Sequence, residues 1–284
     1  MTLNPEHDLT FQSTFKLSTG YGIPRLGFGA GFSREAEISK VLTGPAVLEA
    51  LNVGYRLIDT AHMYQNEQEV GEAIIKSEVD RSMLFITSKV PEHADVRASL
   101  EESLKALDLD YIDLYLIHSP ASGTEARITK WKSLVEEKST GKVRSIGVSN
   151  YNVNHLEEIK KAELELPSVN QIELHPFCQQ RPIVEYCKEN GIIIEAYCPV
   201  VRGKMDHPVI IELAEKYKRD PAQILLRWSL QRGFVPLIRS SQPQRIASNA
   251  ALYDFVLESE DEAKLTALDQ GAQGAVSWNP VNVA

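Results

Sequence analysis

The chain has 284 residues, and 43% of them are hydrophobic, which is enough for a packed interior and too many for a mainly disordered state. A formal net charge of −9 disfavours any role that depends on binding nucleic acid or an anionic membrane. No stretch approaches the roughly 20 apolar residues that a membrane-spanning helix needs.

The opening MTLNPEHDLTFQST is polar and lacks the cationic and apolar parts of a secretory signal. Cys178, Cys187 and Cys198 are odd in number and have no metal-like spacing, so free thiols in a soluble, cytoplasmic protein are expected. A hairpin is predicted around 15–23, turning at Ser18-Thr19-Gly20. After it, strand-like and helix-like segments alternate. Short apolar, β-branched runs predict strands at 25–29, 55–59, 83–89, 113–118, 143–148, 169–173, 192–197 and 235–238. Most of these runs do not alternate with polar residues, as expected when both faces of a strand are covered.

Between them, VRASLEESLKAL places Val96, Leu100, Leu104 and Leu107 near one helical face. Asp220-Pro221 supplies an N-cap and a first-turn proline for another helix, and LESEDEAKL at 257–265 fits a terminal helix with a solvated face. Strands separated by helices, with no linker, predict a single α/β domain over 1–284. Its architecture would be a closed (β/α)8 TIM barrel preceded by an N-terminal β-hairpin, with an open doubly wound sheet as the competing topology. Gly27-Phe28-Gly29-Ala30-Gly31 is close to a dinucleotide-binding fingerprint. Its third glycine comes one residue early and no helical period follows, so it reads as a strand and a tight turn.

The chemistry is concentrated at strand ends. YRLID ends on Asp59, LFITSK on Lys89 and YIDLYLIH on His118, while Tyr64 stands five residues past Asp59. In a parallel barrel these ends share the face on which reactions are carried out. A free phenol, with a pKa of about 10, is a poor proton donor near neutrality unless its anion is stabilised. Lys89 can supply that stabilisation, Asp59 can balance the lysine charge, and His118 can hydrogen-bond and polarise a carbonyl. Singly, Asp59 could be a cap, Tyr64 a half-buried aromatic, Lys89 a solvated strand end and His118 a satisfied polar group. Together, on consecutive strand ends, they indicate one site that protonates an oxygen gaining negative charge.

The segments LIDTAHMYQNEQEVGEAI, FITSKV, YIDLYLIHSP, GKVRSIGVSN, VNQIELHPF, EAYCP and IRSS…RIASN resemble the aldo-keto reductases of microbial and fungal type, in the family's order over nearly the whole chain. The resemblance implies a (β/α)8 barrel that reduces aldehydes or ketones with NADPH (releasing NADP+) and has no Rossmann domain. Asp59, Tyr64, Lys89 and His118 match the family tetrad, with Tyr64 as general acid. Gly29, Asp59, Ser149, Asn150, Gln171 and Tyr197 are the implied cofactor residues around the nicotinamide. Arg239, Ser240 and Arg245 would hold a 2′-phosphate and Asn249 would reach the adenine. Tyr64, His118, Phe32 and Trp278 are candidates for the substrate pocket; Trp278 would either close over the substrate or anchor the tail.

The implied partner is a small-molecule carbonyl compound, with the chain acting as a monomer or weak homo-oligomer. Several positions depart from the family pattern: Arg239 stands for a lysine, Ile238 for a proline and Cys198 for a serine, and Lys89-Val90-Pro91 lacks the tryptophan often found shortly after that lysine. The small-residue connection SPASGTEAR at 119–127 favours an open pocket. A cofactor-binding regulatory subunit is the alternative from another class, and the complete tetrad argues against it. Glu173, His175 and Cys178 lie close in ELHPFC, but no second His or Cys cluster accompanies them, so no metal is expected.

Overall fold

The computed structural model describes residues 9–33, 35–120 and 123–283. The first turn forms where the sequence places it. β1 (Thr14–Lys16) pairs antiparallel with β2 (Gly22–Pro24), and Gly20 takes the left-handed φ of +92° that favours glycine. Ser18 and Thr19 in the turn hydrogen-bond Ser168 and Ser145 at 2.8 and 2.6 Å. These partners lie toward the N-terminal ends of barrel strands, so the hairpin covers the bottom of the barrel. Its Leu17 and Ile23 join a buried cluster with Leu57, Phe85, Leu114, Val169 and Leu237 inside the ring.

The ring itself follows the predicted alternation. β3 (Gly27–Gly29) leads through α1 (Ala36–Val53) to β4 (Leu57–Asp59), and α2 (Glu67–Lys76) to β5 (Phe85–Val90). Next come α3 (Val96–Leu107), β6 (Ile112–Ile117), α4 (Thr124–Ser139), β7 (Val143–Ser149), α5 (Val153–Lys161) and β8 (Val169–Glu173). The round closes with α6 (Arg181–Glu189), β9 (Ile193–Tyr197), α7 (Pro208–Tyr217), α8 (Pro221–Gln231) and β10 (Val235–Ile238). The two remaining helices are α9 (Pro243–Ala250) and α10 (Ser259–Thr266). All barrel pairings are parallel, in the closed order β10-β3-β4-β5-β6-β7-β8-β9. An open sheet is therefore ruled out, and every C-terminal strand end opens on one face.

Helix signals behaved as their chemistry requires. Asp95 caps α3 through a 2.8 Å bond from the Ala98 N–H, and Asp220 with Gln223 forms a capping box on α8. The first strand is shorter than expected. Arg25 leaves it to stack its guanidinium 3.8 Å from the Phe15 ring centre and to donate to the Leu230 carbonyl at 2.9 Å. Gly27 makes room for the interior: a Cβ there would lie 2.5 Å from Leu237 Cδ2 and 2.7 Å from Leu57 Cδ2. Packing, and not a phosphate, accounts for that glycine. Among the described residues, no helix is long and apolar enough to cross a membrane, and Cys178, Cys187 and Cys198 are free thiols.

Candidate active site

The sequence puts Asp59 and Lys89 at the C-terminal ends of β4 and β5, and the register pairs their strands directly. Lys89 is wholly buried. Its Nζ donates to Asp59 Oδ1 at 2.7 Å and to the Thr60 carbonyl at 2.8 Å. Burial alone would pull the Lys89 pKa down, but Asp59 and Tyr64 outweigh it and the net direction is up, so the ammonium is retained.

Tyr64 closes a short helical turn, His62–Tyr64, followed by Gln65 in the left-handed region at φ 53°. Asn66 pins this loop from inside: its Nδ2 donates to the Ala30 carbonyl at 2.7 Å and to Thr43 Oγ1 at 2.9 Å, while its Oδ1 accepts from Thr60 at 2.7 Å. The Tyr64 ring lies with its centre 5.2 Å from Lys89 Nζ and edge-on to His118 at 5.6 Å. Gly31 supplies the facing wall, where an added Cβ would stand 3.0 Å from Tyr64 Cζ. Burial pushes the Tyr64 phenol above its ordinary value; Lys89 and Arg239 pull it down, Asp59 adds to the rise, and burial prevails. The stabilisation of the phenolate by Lys89 is present but smaller than the desolvation it opposes.

His118 stands one residue past β6. Burial, then the Lys89 charge, pushes its pKa down to about 3, so the imidazole is neutral over the ordinary pH range. Its Nδ1 is buried and has no hydrogen-bond partner among the described residues.

Gln171, at the end of β8, reaches across the barrel. Its Nε2 donates to Asp59 Oδ2 at 2.8 Å and to Glu195 Oε2 at 2.8 Å, which uses both amide hydrogens. Its Oε1 accepts no hydrogen bond from any described residue. Ser149 donates to the Gln171 carbonyl at 2.9 Å. Asn150, at φ 64°, donates to the His118 carbonyl at 3.2 Å and to Ser149 Oγ at 3.1 Å, and accepts from the Tyr197 hydroxyl at 2.8 Å. Ser149, Asn150, Gln171 and Tyr197 thus form one connected network beside the tetrad, and the side-chain Oε1 of Gln171 is its open acceptor among the described residues.

The segment after β10 is less uniform than its sequence suggests. Arg239 donates to the carbonyls of Gly31 and of Phe32, the latter at 2.9 Å, and its guanidinium lies 5.8 Å from the Phe32 ring centre. It therefore ties the loop after β3 to the end of β10, and Phe32 lies half-buried beneath it. Arg245 is exposed in the first turn of α9 and makes no ion pair with a described residue, while Ser240 is half-buried and Asn249 is buried. Gly29 ends β3 in register with Asp59, and a Cβ there would meet nothing closer than 3.9 Å, so no close approach demands a glycine.

Glu173, His175 and Cys178 come near one another, yet no group of metal-ligating residues is found among the described residues. Glu173 instead holds the C-terminal tail. It accepts from the Val276 N–H at 2.5 Å and from Ser277, and His175 Nε2 lies 3.0 Å from it. The Tyr197 hydroxyl, whose proton goes to Asn150, lies 3.3 Å from the Trp278 carbonyl. Trp278 is 57% exposed, so its ring does not anchor this segment.

Sequence reasoning missed Glu195, Gly31, Asn66 and the tail-holding role of Glu173. Only Glu195 carried a plain signal, a carboxylate inside the apolar run IIIEAY. Part of the 119–127 connection lies outside the described residues.

Comparison with known proteins gives the family. The family model described as "Aldo/keto reductase family" matches residues 25–270. The glyoxal reductase of Bacillus subtilis is 42% identical over 92% of this chain and 94% of its own. Methylglyoxal reductase DkgA of Escherichia coli is 40% identical over 91% of this chain and 94% of its own. The solved structure of the aldo-keto reductase of Bombyx mori in complex with NADP superposes with a TM-score of 0.87 at 34% identity, covering 96% of this chain and 100% of that one. The chain belongs to the aldo/keto reductase family, and its general activity is that of an oxidoreductase acting on carbonyl compounds.

Proposed function

We propose that the protein reduces small aldehydes or ketones to alcohols with NADPH, Tyr64 delivering the proton. The observation that carries this reading is the cluster of Tyr64, Lys89, Asp59 and His118 at the open end of the barrel, with a buried ammonium beside a phenol. A bound nicotinamide would supply the hydride. Every other task falls to the chain's own residues.

Tyr64 gives its phenolic proton to the carbonyl oxygen as negative charge develops there. Lys89 stabilises the phenolate left behind, and Asp59 holds Lys89 in place. His118, neutral and with Nδ1 buried, is best placed to carry its one N–H on Nε2, where it can donate to the same oxygen. The open Oε1 of the Gln171 side chain suits the amide hydrogens of a carboxamide, and the Tyr197 ring offers a flat apolar face beside it. Arg245, an exposed cation that makes no ion pair with a described residue, suits the 2′-phosphate that distinguishes NADPH from NADH. Ser240 and Asn249 would complete that end. Arg239 would reach the phosphate while still holding the loop that carries Phe32. Phe32 and Trp278 would wall the substrate.

The substrates to try first are small α-dicarbonyl compounds, which two relatives are named for reducing. Consumption of NADPH with methylglyoxal, diacetyl or a simple aldehyde tests the reading, and no consumption with any of a broad carbonyl set would defeat it.

A further inference from the structure

We propose that Glu195 is a positioning residue for the cofactor: together with Asp59 it locks the Gln171 amide so that the amide oxygen, and not its nitrogen, is offered to the nicotinamide carboxamide. The inference rests on the reductase reading above. Glu195 is wholly buried, yet it lies in a strand whose neighbours Ile194 and Ala196 are apolar, and its Oε1 has no hydrogen-bond partner among the described residues. Packing gives no reason to keep a carboxyl there. Its one visible task is the 2.8 Å bond that Oε2 accepts from Gln171 Nε2.

Gln171 and Glu195 are direct register partners on β8 and β9, so their side chains emerge side by side. Asp59 lies on β4, on the far side of the ring, and accepts the second amide hydrogen at 2.8 Å. A primary amide can rotate its oxygen and nitrogen into each other's place, and only its neighbours decide between the two arrangements. Here both neighbours accept, so both hydrogens turn inward and the oxygen is left over. With Glu195 gone, one inward hydrogen would be buried without a partner. The reverse rotation, which turns the nitrogen outward, then gains ground.

The protonation of Glu195 is consistent with this task. Burial, then the Asp59 charge, pushes its carboxyl up to about 8. That direction favours the uncharged acid, which accepts through its carbonyl oxygen and carries its proton on the other. Glutamine has the same shape and the same acceptor. Glu195→Gln should therefore preserve the lock, and Glu195→Leu should break it.

The test measures equilibrium binding of NADPH and of adenosine 2′,5′-bisphosphate, by quenching of protein fluorescence, in the intact protein and both variants. The second ligand carries the adenine end alone and never reaches Gln171. Glu195→Leu should weaken NADPH about five-fold, as loss of one well-placed hydrogen bond does, and leave the bisphosphate unchanged. Glu195→Gln should match the unaltered protein with both ligands. Equal binding of NADPH by the leucine variant, equal weakening of both ligands, or a glutamine variant as impaired as the leucine one would each overturn the inference. If the leucine variant does not fold, Glu195→Asp, which withdraws the carboxyl by one methylene, takes its place with the same expected result. An unaltered protein that binds the bisphosphate and NADPH but reduces no carbonyl would defeat the reductase reading, whereas active protein with an indifferent leucine variant would defeat this inference alone.

Discussion

The Lys89 ammonium and the Asp59 carboxylate meet at 2.7 Å with 0% and 6% of their side chains exposed, so neither charge has water to fall back on. Removing one partner strands the other in the interior. Asp59→Asn should therefore lower the unfolding free energy by about 3–5 kcal/mol. The double variant Asp59→Asn with Lys89→Met should be less damaged than the sum of the single changes, because the stranded charge is then gone. Urea denaturation of the four proteins measures this, and strict additivity would show that the pair does not act as a unit.

His118 makes stability depend on acidity. Its folded pKa is pushed down to about 3, chiefly by burial, below the ordinary value of 6.5. A depressed value means that its contribution is fully present above 6.5 and is lost as pH falls toward 3. Comparing unfolding free energies at pH 7 and pH 4, the unaltered protein should lose more than His118→Gln does. Identical losses would place the acid-sensitive group elsewhere.

Arg245→Ala should weaken NADPH binding about ten-fold or more while leaving NADH nearly unchanged, since charge-assisted hydrogen bonds are worth roughly 1.5–3 kcal/mol. Titration with each cofactor decides the matter. Equal weakening of both would remove the 2′-phosphate assignment.

Gly31→Ala tests how tightly Tyr64 is placed. The new methyl would lie 3.0 Å from the Tyr64 ring, so the ring must give by a few tenths of an ångström. Turnover should fall by about ten-fold or more with the melting temperature little changed, because small misplacements of a reacting group are costly. Unchanged turnover would mean that the ring has slack.

The barrel was legible because its signals are local. Apolar runs such as VPLI and capping pairs such as Asp220 with Gln223 declare their structure within a few residues. Asp59, Lys89 and His118 could be placed together because one rule of parallel barrels gathers strand ends. The rest depended on contacts that cross the ring. Nothing near Gln171 in the sequence says that its amide hydrogens turn toward Asp59, 112 residues away. Nothing near Glu173 says that it binds Val276 and Ser277, which made a metal ligand worth weighing. Likewise Arg239 reads as a free cation until the loop carrying Gly31 and Phe32 is seen against it.

The proton donor is the centre of the account, and Tyr64→Phe tests it most directly by removing one oxygen and almost no volume. Single-turnover and steady-state reduction of a simple aldehyde, measured alongside NADPH binding, should show kcat falling by about 10²–10⁴-fold, the usual contribution of a general acid, with cofactor affinity within about two-fold of the unaltered protein. Near-native turnover in that variant would contradict the assignment of Tyr64 as the acid.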